Sequence, residues 1–183
     1  VRYSLAEYNV AGIEIENSRN AIVHGNLATR NTGGILIFDL PNLPVMGGGN
    51  TVVEGNLVID NDTPNFAPKG NIVASVPRGT GVMIMANELV AVRGNVLANN
   101  PTAQVVVVAY PNVFTDKRYN PYPRRIVLGP NSTVKGNLVF EREVELYVHS
   151  TAKYGKIIYL EAEAGKTEAL KPIVFTGKEP DFK

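Results

Sequence analysis

Cysteine and tryptophan are absent from the 183 residues, and histidine occurs only twice. Without cysteine the chain forms no disulfide, offers no thiol nucleophile and holds no thiolate metal site. His24 and His149 are too far apart in sequence for a local metal motif. Charge is also scarce. Asp, Glu, Lys and Arg make up 19% of the chain and the net charge is +1, so nothing global draws it to nucleic acid or to an anionic membrane. No apolar run approaches the ~20 residues that a transmembrane helix needs. No initiator methionine and no signal peptide stand at the start. The chain opens at Val1 in what already reads as repeat sequence, so a fragment or processed product is expected.

What is present is a recurring pentad. "VHGNL" at 23–27 returns as "VEGNL" at 53–57, "VRGNV" at 92–96 and "VKGNL" at 134–138. A second marker recurs beside it: "GIEI" from Gly12, "GILI" from Gly34, "GVMI" from Gly81 and a degenerate "AQVVVV" at 103–108. A third is an asparagine six residues after the glycine of the pentad, at Asn31, Asn61 and Asn100. Together they define a unit of about 22 residues, interrupted by insertions near 41–49, 62–80 and 110–125.

A unit of that length, with short β-type runs and no helical period, predicts a β-solenoid. The fold class expected is all-β: a right-handed parallel β-helix of about 22 residues per coil with three insertions. "GIEIEN" alternates, which places Ile13 and Ile15 inward and Glu14 and Glu16 outward. Equivalent asparagines should stack between coils and bond to one another. One ladder is expected through Asn26, Asn56, Asn95 and Asn137, and another through Asn31, Asn61 and Asn100. An antiparallel sandwich would need turns every 8–12 residues but no positional identity across 22.

Charge density changes near residue 140. Residues 1–140 carry 20 charged side chains and the last 43 carry 15. The division expected is a β-helix over 1–140, N-terminally incomplete, and a charged cap or flank over 141–183. Within the latter, "KIIYLEAE" (156–163) and "PIVFTG" (172–177) read as strands and 163–171 as a turn or short helix. An open solenoid end exposes core and strand edge. The N-terminal coil edge, around residues 1–11, is expected to stack on further coils or on another chain.

"AEYNVAGIEIENS", "NTGGILIFDLPNLP" and "NFAPKGNIVASVP" resemble the bacterial right-handed parallel β-helix repeat proteins of the pectin-lyase-like superfamily. Within it the chain is similar to an exported family of unknown function whose genes often neighbour a dihaem c-type cytochrome. The resemblance covers roughly residues 1–110. It implies a three-sided right-handed helix and an exported, periplasmic or cell-envelope location. It carries over no catalytic residue and no cofactor, and it makes another envelope protein, such as a c-type cytochrome, the expected partner. Better known relatives, pectate lyases and alginate epimerases, use clusters of carboxylate, Lys, Arg or His. The Asp-Pro-His cluster of the epimerases is missing here.

Three groups of residues compete as sites. The outward column beside the G-[IV]-x-I strand reads Glu14 and Glu16, then Leu36 and Phe38, Met83 and Met85, Val105 and Val107, with Gln104 in an inward slot by strict count or displaced by a bulge. The apolar members are either covered by the chain's own insertions or exposed as a protein-binding stripe. Glu14 and Glu16 share a face at roughly 6–7 Å, and Asp39 supplies a third carboxylate, which would serve glycoside chemistry. The x position of V-x-G-N gives a column of His24, Glu54, Arg93 and Lys135, whose mixed signs suit rung-to-rung pairing. The third insertion, "YPNVFTDKRYNPYPRR", concentrates Lys117, Arg118, Tyr119, Tyr122, Arg124 and Arg125. That composition suits an acidic glycan or a protein hot spot.

Several motifs carry nothing. "AGKT" at 164–167 lacks the first glycine of a phosphate loop. "DND" at 60–62 lacks the calcium-loop glutamate. No metal site or cofactor is expected, and no nucleic acid. The function expected is a non-catalytic exported scaffold or binding module for a protein partner or an acidic glycan. The alternative is a carbohydrate-active enzyme (lyase, epimerase or hydrolase) on acidic polysaccharide, using Glu14, Glu16, Asp39 and the basic insertion.

Overall fold

The computed structural model describes residues 1–41, 43–108, 124–140, 144–159, 171–178 and 180. These residues wind into three parallel sheets. The first, five-stranded, takes β1 (Leu5–Glu7), β4 (Leu27–Thr29), β7 (Leu57–Ile59), β10 (Val96–Ala98) and β13 (Thr133–Val134) in that order. The second stacks β2 (Ala11–Glu16), β5 (Gly33–Phe38), β8 (Thr80–Met85), β11 (Ala103–Val108), β14 (Leu138–Phe140) and β16 (Ile157–Tyr159). The third stacks β3 (Ile22–His24), β6 (Gly49–Glu54), β9 (Glu88–Arg93), β12 (Arg124–Leu128), β15 (Val144–His149) and β17 (Ile173–Phe175). Each rung visits the three sheets in turn, so like residues of successive rungs lie over one another.

Register makes that concrete. Ile15, Ile37, Ile84, Val107 and Phe140 form one inward column, each the Cα partner of the next. Val23, Val53, Val92, Leu128 and Val148 form another. All but Ile15 among these ten are at least 98% buried, and they belong to one core that runs the length of the helix.

The asparagine ladders close the corners. Asn26 Nδ2 donates to Asn56 Oδ1 at 2.9 Å, and Asn56 Nδ2 donates to Asn95 Oδ1 at 2.9 Å. Asn31, Asn61 and Asn100 repeat the pattern at 3.0 Å per step. Each receiving oxygen also accepts the backbone N–H of the preceding asparagine. The corner is thus built from groups that would otherwise be buried and unsatisfied.

Three sequence expectations need correction. Asn137 is not in the first ladder. Val96 pairs with Thr133, which puts Ser132 opposite Asn95, and Ser132 Oγ accepts the Gly94 N–H at 2.9 Å. "VKGNL" at 134–138 therefore lies at a different corner from its look-alikes. Gly136 makes room for Gln104, whose Cγ would stand 2.7 Å from an added Cβ. Second, Lys135 is not in the column of His24, Glu54 and Arg93; Leu128 pairs with Val92, so Gly129 follows Arg93 there. Third, no bulge displaces Gln104. Val105 pairs with Val82 and Val107 with Ile84, so both point to the core, and Val106 and Val108 are the outward residues. The loop before β11 is one residue longer than those before β2 and β5, which leaves Gln104 in the glycine slot. There its Oε1 accepts from Asn100 Nδ2 and ends the second ladder.

The sheets run on past residue 140. β15, β16 and β17 join the same sheets, and the isolated bridge of Thr133 to Lys153 carries the five-stranded face one rung further. The change in charge density therefore does not coincide with the end of the coils. The turn or helix expected at 163–171 falls, apart from Lys171, outside the described residues.

Candidate functional site

Glu14 and Glu16 sit on β2, the edge strand of the second sheet, and both are exposed. Partial burial of the Glu14 carboxylate, followed by the charge of Glu16, raises its pKa above the ordinary glutamate value. A carboxyl whose folded pKa is raised adds stability below its unfolded pKa. That contribution is lost as pH rises through the folded pKa. Glu14→Gln is therefore expected to raise the melting temperature slightly at pH 7 and to leave it unchanged below about pH 4, because solvent screens so exposed a group. Thermal unfolding at both pH values checks this.

Asp39 does not join that pair. It is 6% exposed, and its carboxylate accepts the N–H groups of Gly47 at 2.9 Å and Gly48 at 3.1 Å. Both oxygens hold the first insertion against the end of β5. Asn17 fixes the other side of the same loop, donating to the carbonyls of Leu40 and Val45. Asp39→Ala is expected to cost about 1–3 kcal/mol by leaving those amides unsatisfied. The measurement is urea denaturation together with proteolysis of the 41–48 loop.

The apolar outward column is no open stripe. Leu36 and Phe38 are at least 98% buried, and Met83 and Met85 are also buried. Together with Val76 and Val106 they form a second, outer core, against which Val73 packs. Val73 and Val76 belong to the second insertion, which crosses the sheet as a strap with one turn of 3-10 helix at Ile72–Ser75. Asn65 Nδ2 donates to the carbonyls of both valines, and Asp62 takes Arg78 in a two-pronged pair at 2.7 and 2.9 Å. The four residues expected to bind a partner thus lie beneath the chain itself.

His24, Glu54 and Arg93 do form a column. Arg93 Nε donates to Glu54 Oε2 at 2.8 Å, and His24 Nδ1 stands 3.4 Å from Glu54 Oε1 without hydrogen-bond geometry. Tyr3 lies edge-to-face with the imidazole, ring centroids 5.5 Å apart. Arg125 is matched on the next rung by Glu145, with Nε to Oε2 at 2.9 Å. Glu14 and Arg125 lie on different sheets, three rungs apart, or roughly 14 Å along the axis. One sugar does not span them. Lys117, Arg118, Tyr119 and Tyr122, and the side chain of Arg124, lie outside the described residues. Among the described residues no group of three or more His, Asp or Glu could hold a metal ion.

Two features were missed in the sequence. "VRYS" at 1–4 is a degenerate pentad 22 residues before "VHGN": Arg2 bridges to His24, and Ser4 N–H donates to Asn26 Oδ1 at 3.0 Å. Tyr3 therefore occupies the glycine position and takes its left-handed backbone, φ 53°. The exact 22-residue offset was the available signal. The other feature is the outer face of the five-stranded sheet. Leu27, Leu57 and Val96 stack there in register; Leu57 is 45% and Val96 37% exposed. The residues ending the first three pentads, Leu27, Leu57 and Val96, marked that column.

No curated protein and no solved structure matches this chain. The family model described as the right handed beta helix region matches residues 1–117. With three parallel sheets wound rung upon rung over the same residues, the chain belongs to the right-handed beta-helix family.

Proposed function

We propose that the protein is a non-catalytic β-helix scaffold, exported to the cell envelope, that binds a partner through its outer faces and its basic insertion. One observation carries this reading: the ionisable side chains that catalysis would need do not converge, since Glu14 and Glu16 stand exposed on the edge strand β2 and the others are engaged elsewhere. Glu54 is held between His24 and Arg93, Asp39 clamps the first insertion, and Arg125 pairs with Glu145. A catalytic site needs several such groups converging in an open cleft. The composition of 110–125 supports an acidic partner surface, whether an envelope protein such as a c-type cytochrome or an acidic glycan.

The test is a pair of assays on the same preparation. Polygalacturonate and alginate are incubated with the protein and followed for unsaturated or reducing ends and for epimerised residues. No product is expected. Turnover that is lost in Glu14→Gln or Glu16→Gln would instead establish the enzyme reading.

A further inference from the structure

The first two insertions are held in different ways. Rungs grip the first: Asp39 accepts the N–H groups of Gly47 and Gly48, and Asn17 donates to the carbonyls of Leu40 and Val45. The second is gripped at its feet. Thr63 N–H donates to Asn31 O at 3.1 Å and Gly79 N–H to Thr32 O at 3.0 Å, while Asp62 and Arg78 pair across the base. Among the described residues no hydrogen bond joins 65–76 to a rung. That stretch bonds to itself. Asn65 Nδ2 donates to Val73 O at 2.9 Å and to Val76 O at 3.0 Å, its Oδ1 accepts the Ala67 N–H, and Asn71 caps the 3-10 turn. Such a self-closed surface loop, with its ends together, is an Ω-loop.

Apolar contact presses it down. Val73 and Val76 meet the outer core of Leu36, Phe38, Met83 and Val106. Lifting the loop therefore parts apolar surfaces and leaves its hydrogen bonds whole, which puts it among the segments that open locally. The first insertion, lifted, would strand the amides held by Asp39.

The seat beneath has a defined chemistry. It holds two valines three residues apart, whose side chains align on a 3-10 turn. Met83 and Met85 let it adapt to similar side chains. The same outward columns end in carboxylates, because Glu14 is the Cα partner of Leu36 and Glu16 of Phe38. Both are exposed and form no ion pair among the described residues.

Resting on the scaffold reading for its partner, we infer that the second insertion is a self-inhibiting lid over a docking seat. The seat takes a partner segment with two aliphatic side chains three residues apart and a basic residue toward Glu14 and Glu16. Lid and partner compete, so affinity is reduced by the fraction of time the lid is shut.

The three methionines give the first readout: Met46 is 45% exposed, Met83 7% and Met85 5%. A Cβ at Gly33 would lie 3.0 Å from Val76 Cγ1, so Gly33→Cys/Val76→Cys is expected to bolt the lid shut as a disulfide. Peroxide oxidation of the full chain is followed by mass spectrometry. Oxidation of Met83 and Met85 is expected to slow about tenfold or more in the bolted chain, with Met46 unchanged. The second readout, independent of the disulfide, is a free peptide of residues 69–77, which carries Lys69 and both valines. It is expected to shift the NMR amide signals of 36–38 and 83–85. It should bind Asn65→Ala about tenfold more tightly than the unaltered chain, and the bolted chain not at all. Asn65 hydrogen-bonds within the lid, and unchanged rung amides confirm the fold of that variant. A peptide with serine for both valines should not bind, and one with glutamate for the lysine should bind severalfold more weakly. The inference is overturned if bolting leaves Met83 and Met85 oxidation unchanged or if no peptide binds Asn65→Ala. It is also overturned if the serine peptide binds as well, if the shifts lie on another face, or if the chain dimerises by exchanging lids. Lipid vesicles taking the seat in place of the peptide would overturn it too. Failure of the scaffold reading is separate: it appears as polysaccharide turnover, with the methionine and peptide results as expected.

Discussion

Asn56→Ala is expected to lower stability by about 3 kcal/mol or more. The side chain makes four hydrogen bonds inside a closed corner. Its Oδ1 accepts from the Asn26 backbone N–H and from Asn26 Nδ2, and its Nδ2 donates to Val23 O and Asn95 Oδ1, all at 2.9 Å. Asn56 is 1% exposed, so water does not replace what alanine removes. Each buried group left without a partner costs about 1–3 kcal/mol. The contrast is Asn9, exposed and bonded through its side chain only to the Glu7 carbonyl. Asn9→Ala is expected to change stability by less than about 0.5 kcal/mol. Urea midpoints for the two variants check the prediction. Because rungs contact mainly their neighbours, the loss in Asn56→Ala should appear first in the amides of the rungs it joins.

Gly34→Ala is expected to be comparably damaging, for a steric reason. An added Cβ would stand 2.4 Å from Val58 Cγ1, 2.7 Å from the Gly81 carbonyl oxygen and 2.9 Å from Asn61 Nδ2. The carbonyl belongs to the next rung's backbone and cannot step aside without parting the rungs. A cost of about 3 kcal/mol follows, at the upper end for overpacking. Gly94 is the control. Its φ is +59° and an added Cβ would meet only the Gly55 nitrogen, at 3.9 Å. Gly94→Ala should cost only the left-handed penalty of about 1–2 kcal/mol, and Gly94→Asn less, because asparagine tolerates that conformation. Thermal unfolding of the three variants separates close approach from backbone conformation.

Much of the fold was legible because a solenoid writes each rung into the sequence. Val23, Val53 and Val92 share a column, and the asparagines three residues on build the corner that the spacing predicts. What misled was letter identity without register. "VKGN" at 134–137 matches the pentad, yet Gly129 and Ser132 take those places, because the long third insertion resets the count. "VRYS" matches poorly and nevertheless is a rung. The sites were less legible. Outward residues alternate with inward ones on every strand, so sequence gives their facing but not what crosses over them. Leu36 and Leu57 look alike in that respect. One lies under Val73 and Val76, and the other faces solvent. That difference arises from where the second insertion folds, a long-range contact that no local pattern encodes.

The parallel register of successive rungs is the claim on which the fold and the reading of its outer faces both depend. The absence of cysteine allows it to be read by one measurement, disulfide formation between introduced pairs. Leu57 and Val96 are direct partners on adjacent strands, so Leu57→Cys/Val96→Cys lies within the roughly 4.4–6.8 Å Cα range of a disulfide. That pair is expected to close within one chain on mild oxidation. Leu57→Cys/Ala98→Cys, shifted by two residues along the strand, is expected to stay reduced. Closure of the shifted pair with the in-register pair left open would contradict the account.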